Sequence, residues 1–584
     1  MNATRKDSPV LHWGRAKIVE IFGADLRSLA AFRIVLAALV LVDLASRAPD
    51  LYAHYTDRGI LPRSILLQEA LNRWQVSLNL MSGELFVQAL LFDVAALAAL
   101  ALLVGYRTRL MTAIVWVLVL SIQARNPLIL NSGDTLLRML LFWGMFLPLG
   151  AHWSVDRALK AAPSRLSMRF LSLATVGLLM QIAFVYWFTA ILKSDPEWRV
   201  DGTALYYALS IDEWATPIGA TLYQFPTVLE VLTFATIGLE AFGPFLLFCP
   251  FFTGPVRTGA ILAFMSLHFG IWLAMPIGIF SWVAAFCMVC LLPSWFWDNV
   301  PRLIPVSLME KSATVGRLLR PATRLVKAYW LPLRMRLSAL IRGGRFFTLH
   351  RSEDDDNRPG SHDPRKTTSS VRLAAPHQGG SEIRPAAGTV GERGGEHGTA
   401  ASAELTPLRS SLVTNLFALF LLLYVFSWNL TTVSEFAMPE RLRPLGYLLG
   451  LRQDWGVFAP EPRKTGGWYV ISGTLHSGQQ VDLMVAAVRR DFDLREGVSW
   501  EKPEDVADTL KNKYWRKYLS GIRDPDNEDL RRYFGRYICR EWNARHMGAE
   551  ELIDLQIVHM KVKTLPDYQR TTPEKVVLRN HDCS

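Results

Sequence analysis

Lys193 stands where a long apolar run ends, in Tyr186-Trp187-Phe188-Thr189-Ala190-Ile191-Leu192-Lys193-Ser194-Asp195-Pro196-Glu197-Trp198. An amine held in apolar surroundings loses its proton more readily, because desolvation disfavours the ammonium form, and the neutral amine is a general base. Lysines at helix ends also snorkel their charge into the headgroup layer, so position alone leaves both roles open. Further ionisable groups interrupt apolar runs: Arg33, Asp43, Asp93, Asp134, Arg138, Glu240 and His268. Inside a membrane each is costly and calls for a partner or a cavity, which makes each a candidate for function. Asp134 and Arg138 are one helical turn apart and placed to pair with each other. Glu240 precedes Gly243-Pro244, where a broken helix frees backbone carbonyls. His268, in Ser266-Leu267-His268-Phe269-Gly270-Ile271-Trp272, has the setting of a satisfied core histidine as much as of a catalytic one.

These groups have to be positioned by membrane helices. The chain combines 51% hydrophobic and 11% aromatic residues with a net charge of +11 over 584 residues, the composition of a polytopic membrane protein with soluble parts. At roughly 20 apolar residues per crossing, about nine spans are expected, near 26–46, 85–104, 110–122, 135–149, 170–192, 228–251, 258–275, 277–292 and 412–430. The third, fourth and eighth are short for a crossing. Basic residues cluster in alternate connections: Arg5, Lys6, Arg15 and Lys17; Arg107 and Arg109; Arg157, Lys160 and Arg165; Arg257; and the long loop after Pro293. The positive-inside rule assigns these to the cytoplasm, and an odd number of spans then puts the C-terminal domain outside. The first outer loop, with Arg47, Arg58, Arg63 and Arg73, runs against the rule. In this topology Asp43, Asn126, Asn131, Asp134 and Lys193 share the outer face, as a polar pocket opening outward.

The expected fold is an all-α transmembrane bundle with a small extramembrane α+β domain. Its parts are a cytoplasmic segment 1–25, an eight-span domain 26–293, a basic segment 294–351 suited to anionic lipid, a linker 352–405 too poor in apolar residues to bury a core, a ninth helix 411–431 and an extracytoplasmic domain 439–584. That last domain opens with Trp455-Gly456-Val457-Phe458-Ala459-Pro460. A hairpin near 467–487, helices near 503–519 and 527–545 and a strand near 552–563 follow. Cys287-Met288-Val289-Cys290 has metal spacing but reads as packing within an apolar helix, and Cys539 with Cys583 are expected to form a disulfide outside the cell. The sequence has no His-Glu-x-x-His, paired Cys-x-x-Cys or phosphate-cradling glycine loop, so neither metal, nucleotide nor nucleic acid is an expected partner.

Several segments together resemble the bacterial HTTM (horizontally transferred transmembrane domain) proteins, relatives of vitamin K-dependent gamma-glutamyl carboxylase. They are Ala31-Phe32-Arg33-Ile34, 54–62 from His54 to Pro62, Arg125-Asn126-Pro127, Asn131 through Arg138, the Lys193 segment, and His268 with Trp272. The likeness covers about 26–293. In that family a lysine in a Lys-x-Asp-x-Asp-Trp-like segment deprotonates vitamin K hydroquinone, and Lys193-Ser194-Asp195-Pro196-Glu197-Trp198 is similar position by position. The resemblance implies Lys193 as base, His268 and Asp134 as polar supports, and Arg33, Asn131, Glu240 and Trp272 near a reduced vitamin K-type quinone in a bacterial inner membrane. Where the animal carboxylase has a histidine in an Asn-Asn-His segment, this chain has Asn131-Ser132-Gly133-Asp134, and no propeptide-gripping region is recognisable. The expectation is therefore quinol oxygenation coupled to proton abstraction or carboxylation of an unspecified substrate. The alternative is a non-enzymatic lipid-binding scaffold whose C-terminal domain binds a protein partner.

Overall fold

The computed structural model describes residues 9–67, 74–160, 167–303, 408, 410–493 and 496–584. Arg73, Arg165, nearly all of the basic segment and the linker 352–405 lie outside the described residues. The chain divides into two units, Met1–Met309 with Leu405–Ser584, and Glu310–Glu404; all that follows concerns the first.

Seven helices are long and apolar enough to cross a membrane: Leu26–Tyr55, Leu85–Val104, Thr108–Arg125, Leu173–Leu192, Pro226–Leu247, Thr253–Ala274 and Leu412–Val433. Two of the about nine expected spans are shorter. We label the helices α1 (Leu26–Arg47), α2 (Leu85–Val104), α3 (Thr108–Arg125), α4 (Ser132–Gly144), α5 (Leu173–Leu192), α6 (Pro226–Leu247), α7 (Thr253–Ala274), α8 (Phe280–Cys287) and α9 (Leu412–Val433). The short ones, α4 and α8, pack against each other and are largely buried. Long helices shield them from lipid, so neither needs a full apolar length of its own. α5 is central, packed by α4, α6 and α9. It approaches α4 closely because residue 177 is glycine: a Cβ there would come within 2.4 Å of the Trp143 ring. The outward faces of α6 and α9 expose Val231, Phe242, Phe245, Leu416, Phe420 and Leu423, apolar side chains that suit contact with acyl chains rather than water.

The C-terminal domain is a four-stranded antiparallel sheet of β1 (Thr465–Leu475), β2 (Gln480–Asp482), β3 (Leu552–Lys563) and β4 (Glu574–Asp582), in the order β2-β1-β3-β4. Helices α10 (Lys513–Ile522) and α11 (Glu528–Asn543) complete it, each amphipathic with its aromatic side, Trp515 and Tyr518 or Phe534 and Tyr537, turned inward. The expected hairpin, second helix and strand are present, but the hairpin's second strand is only Gln480–Asp482 with Met484–Arg489 helical, the helix expected near 503–519 is split into Val506–Thr509 and Lys513–Ile522, and β4 is an addition. Cys539 of α11 is disulfide-bonded to Cys583, just beyond β4.

This domain is docked on the end of the bundle where α1 and α5 finish. Tyr514 Oη donates to Asp43 Oδ1 at 3.0 Å, Lys511 Nζ to Asp50 at 2.5 Å and Trp515 Nε1 to Asp50 at 3.1 Å. Glu213, in the loop between α5 and α6, accepts from Arg463 at 2.7 Å and Arg523 at 2.8 Å. Burial pushes its carboxyl up, but Arg523 and Arg463 outweigh that and hold it below the usual range. Beside Arg523, His559 is pushed down to about 3 by burial and the neighbouring guanidinium. Native His559 therefore stays neutral while the unfolded chain binds a proton below about pH 6.5, so its contribution is complete above that pH and declines as pH falls. Glu213 adds a further loss only below its unfolded value of about 4.5. Between pH 6.5 and 5 the wild type should lose stability relative to His559→Phe, by at most about 1.4 kcal/mol per pH unit, in thermal unfolding of the two proteins in matched detergent buffers.

Candidate functional site

Helix α5 stops at Lys193 because Pro196 cannot continue it. Lys193 N–H still bonds Thr189 O at 3.1 Å, and Arg199 turns back to bond Lys193 O at 2.8 Å and Ala190 O at 3.3 Å, satisfying carbonyls that the helix end leaves free. With the turn fixed, the Lys193 side chain points inward and is 3% exposed. Its Nζ lies 4.1 Å from the centroid of the Trp198 ring, a cation–π contact. It donates to both carboxylate oxygens of Glu240 on α6, at 2.8 and 2.7 Å. Snorkelling to water does not occur.

His268 of α7 is joined to Tyr186 of α5, with Nε2 and the phenol oxygen 2.8 Å apart. Tyr186 also lies over Phe264, centroids 4.1 Å apart. His268 Nδ1 has no hydrogen-bond partner among the described residues. Lys193, Glu240, His268, Tyr186 and Trp198 all line one cavity of about 390 Å³ whose other walls are mainly aliphatic, including Leu205, Leu209, Leu232, Leu239, Ile271 and Met275. Val457 and Phe458 of the segment before β1 form part of its wall. Trp198 Nε1 donates to Phe458 O at 2.9 Å, and Thr189 Oγ1 to Trp455 O at 3.1 Å, which pin that segment to α5 and its turn.

Of the residues singled out from sequence, Lys193, Glu240 and His268 converge here, and Trp272 lies next door. It packs against Trp282, centroids 4.8 Å apart, in a cavity of about 250 Å³ that shares His268. Asp134 does not join them. It accepts from Asn131 N at 2.8 Å in the capping box of α4 and pairs with Arg47, whose Nε also bonds Asp43 Oδ2 at 2.8 Å. The expected Asp134 to Arg138 pair does not form, because Arg47 claims the carboxylate. Arg138 instead donates to Gln123, to Gly450 O at 2.7 Å and to Arg452 O at 3.2 Å. Asn131 caps α4, its side chain accepting from Gly133 N at 2.8 Å, and lines a polar cavity of about 640 Å³ with Arg138, Arg452 and Lys517. Arg33 is at the opposite end of the bundle, donating to Leu149 O at 3.1 Å and Trp153 O at 2.6 Å. Its role there is to cap loop carbonyls.

Tyr186 and Trp198 were not among the expected site residues. Tyr186 could have been found from its place two helical turns before Lys193 on the same face, and Trp198 from the motif that contains it. Val457 and Phe458 lie in the Trp455–Pro460 segment singled out from sequence, but nothing local tied that segment to Lys193.

The arrangement supplies a buried amine and carboxylate with shared protons, a histidine–tyrosine pair and an apolar chamber, a set suited to proton transfer on a lipid-soluble molecule. Residues 23–295 match the HTTM domain family. No curated protein and no solved structure matches the chain. Replacing one member of a buried ion pair strands the other, at a cost of about 3–5 kcal/mol. Glu240→Leu should therefore lower the unfolding temperature in detergent markedly, and the double substitution Lys193→Met with Glu240→Leu should recover most of the loss.

Proposed function

We propose that this HTTM-domain membrane protein binds a reduced vitamin K-type quinone in the Lys193 cavity and that Lys193 Nζ takes a hydroxyl proton from it. The observation that carries this reading is the buried Lys193–Glu240 pair facing a mainly aliphatic chamber. The chamber fits the group: at about 390 Å³ it falls within the range of small-molecule sites, and the orphaned His268 Nδ1 offers a polar contact for a ring oxygen. When bound, such a quinol supplies electrons for oxygen reduction and, through that oxidation, a base able to take a proton from carbon.

The chain's own residues do the rest. Glu240 sets the orientation of the Lys193 amine and accepts one of its protons through a 2.7 Å bond, so a proton arriving at Nζ is shared across the pair. Tyr186 fixes the His268 ring. Val457 and Phe458 keep bulk water from the amine, and with water excluded each of these electrostatic contacts is stronger. The unspecified second substrate would be the source of the carbon-bound proton, with carboxylation as one outcome. The proposed setting is a bacterial inner membrane with the N-terminus cytoplasmic and the C-terminal domain outside. The odd number of long apolar helices and the Cys539–Cys583 disulfide support that orientation.

Purified protein in nanodiscs, given reduced menaquinone or vitamin K and oxygen, should form the quinone epoxide. Lys193→Ala should lower the rate by about 10²-fold or more. Equal turnover by both proteins, or none by either, would remove the reading, and quinone binding without turnover would favour the lipid-binding scaffold.

A further inference from the structure

Arg138 is a buried cation that the Lys193 chamber does not use. It is 7% exposed and forms no ion pair with a described carboxylate; Asp134, one turn earlier on α4, is taken by Arg47. Three acceptors hold its guanidinium: Gln123 Oε1, Gly450 O at 2.7 Å and Arg452 O at 3.2 Å. A guanidinium carries five N–H donors, so one N–H on each terminal nitrogen is left over by the described residues. This placement needs glycine at 450, where φ is +60° and a Cβ would come within 2.9 Å of Arg138 Nε. Arg138 lines the polar cavity of about 640 Å³ together with Arg452 and Lys517. Neither of these is paired with a described carboxylate, and Arg452 lies over the Tyr447 ring, 4.5 Å from its centroid. Asp454 is the acidic residue on the described wall, and it accepts from Gly456 N at 2.9 Å. Three cations against one carboxylate leave a formal excess of two positive charges. Asn131 and Ser132 bring the N-terminal end of α4 to the same wall, and a helix presents the positive end of its dipole there.

We propose that this cavity binds a phosphate group, carried by an anionic lipid headgroup or by a water-soluble phosphate. The cations come from three separate elements, α4, the segment after α9 and α10. A phosphate has three or more oxygens to spread over such donors, whereas a carboxylate has two. The excess of positive charge selects an anion, and a buried arginine without an opposite charge gains most from one. Leu120 near the end of α3 and Trp428 near the end of α9 complete the wall. Both belong to helices long and apolar enough to cross the membrane, and tryptophans near such helix ends sit at the level of the headgroups. That position favours the lipid source. Occupancy has a consequence for the neighbouring chamber, because Arg452 directly precedes the segment whose Val457 and Phe458 line it. The site stands on its own geometry and does not require the ligand of the Lys193 chamber to be a quinol.

The test is calorimetric titration of the full chain, delipidated in an uncharged detergent. One arm uses sodium phosphate against sodium chloride at equal ionic strength, and the other uses dihexanoyl-phosphatidylglycerol against dihexanoylglycerol, which lacks the phosphate. The wild type should bind the phosphate-bearing partner of at least one arm and neither control. Arg452→Gln and Lys517→Gln, both at exposed side chains, should each weaken binding by about tenfold, and Asp454→Asn should tighten it. Arg138 is left intact, because its loss also strips two carbonyls of their donor. Tighter binding of phosphatidylglycerol than of phosphate assigns the lipid source, and equal or tighter binding of phosphate assigns the soluble one. Absence of binding in both arms, or equal affinity in the wild type and both glutamine variants, would overturn the proposal. Because binding is read without turnover, loss of the quinol reading leaves this result unaffected, and the reverse also holds.

Discussion

A charge withdrawn from water in this protein meets either its opposite or a set of hydrogen-bond acceptors, as Arg33 and Arg138 meet carbonyls, and that requirement organises the molecule from the middle of the bundle to the C-terminal sheet. Lys193 meets Glu240, Arg47 meets Asp43 and Asp134, Asp50 meets Lys511, and Glu213 meets Arg463 and Arg523. Two of these pairings cross from the bundle to the C-terminal domain. The domain is thereby held as part of the bundle end rather than as an appendage, and its apolar core runs on into the core of the helices. Buried ion pairs are poor sources of net stability against apolar replacements. They are strong determinants of register, because a shifted helix or a rotated domain would leave several charges unpaired at once.

The same docking divides the interior by polarity. The segment from Gln453 to Phe458 runs between two cavities, with Gln453 and Gly456 on the wall of the polar one and Val457 and Phe458 on the wall of the apolar one. Gln453 Oε1 accepts from Gln181 Nε2 at 2.8 Å and Trp455 Nε1 at 3.2 Å, so the segment is fixed by side chains of α5 as well as by its own. A polar chamber lined by Arg138, Arg452 and Lys517 thus adjoins an apolar chamber that carries an amine. Such a partition suits chemistry between a water-soluble and a lipid-soluble molecule.

Much of the architecture was legible in the residues, and the reasons differ from element to element. The long apolar helices, the amphipathic α10 and α11, the hairpin at His476-Ser477-Gly478-Gln479 and the pairing of Cys539 with Cys583 all follow from local composition, spacing or compartment. The short α4 and α8 were expected as spans from their apolar character, and hydropathy alone does not reveal that protein, rather than lipid, surrounds them. Asp134 was placed beside Lys193 because both fall near the outer end of their helices. Height along a helix says nothing about which neighbour it faces, and there the carboxylate faces Arg47. Arg33 was placed near the quinone on the family resemblance, whereas its partners are carbonyls of a loop more than a hundred residues away.

The sequence by itself determined that the chain is a helical membrane protein with a C-terminal α+β domain, that an HTTM-like region occupies its first half, and that Lys193 is one of several costly groups to watch, with Arg33, Asp43, Asp93, Asp134, Arg138, Glu240 and His268. Those conclusions rest on hydropathy, periodicity and local motif, which are properties of neighbours along the chain. Only the tertiary structure decided that Lys193, Glu240 and His268 share one chamber, that Tyr186 and Trp198 belong with them, and that Val457 and Phe458 line it. Lys193 and Glu240 are 47 residues apart, and Trp198 and Phe458 are separated by 260. Contacts over such distances are set by how helices pack and where the C-terminal domain docks, and no local pattern encodes them.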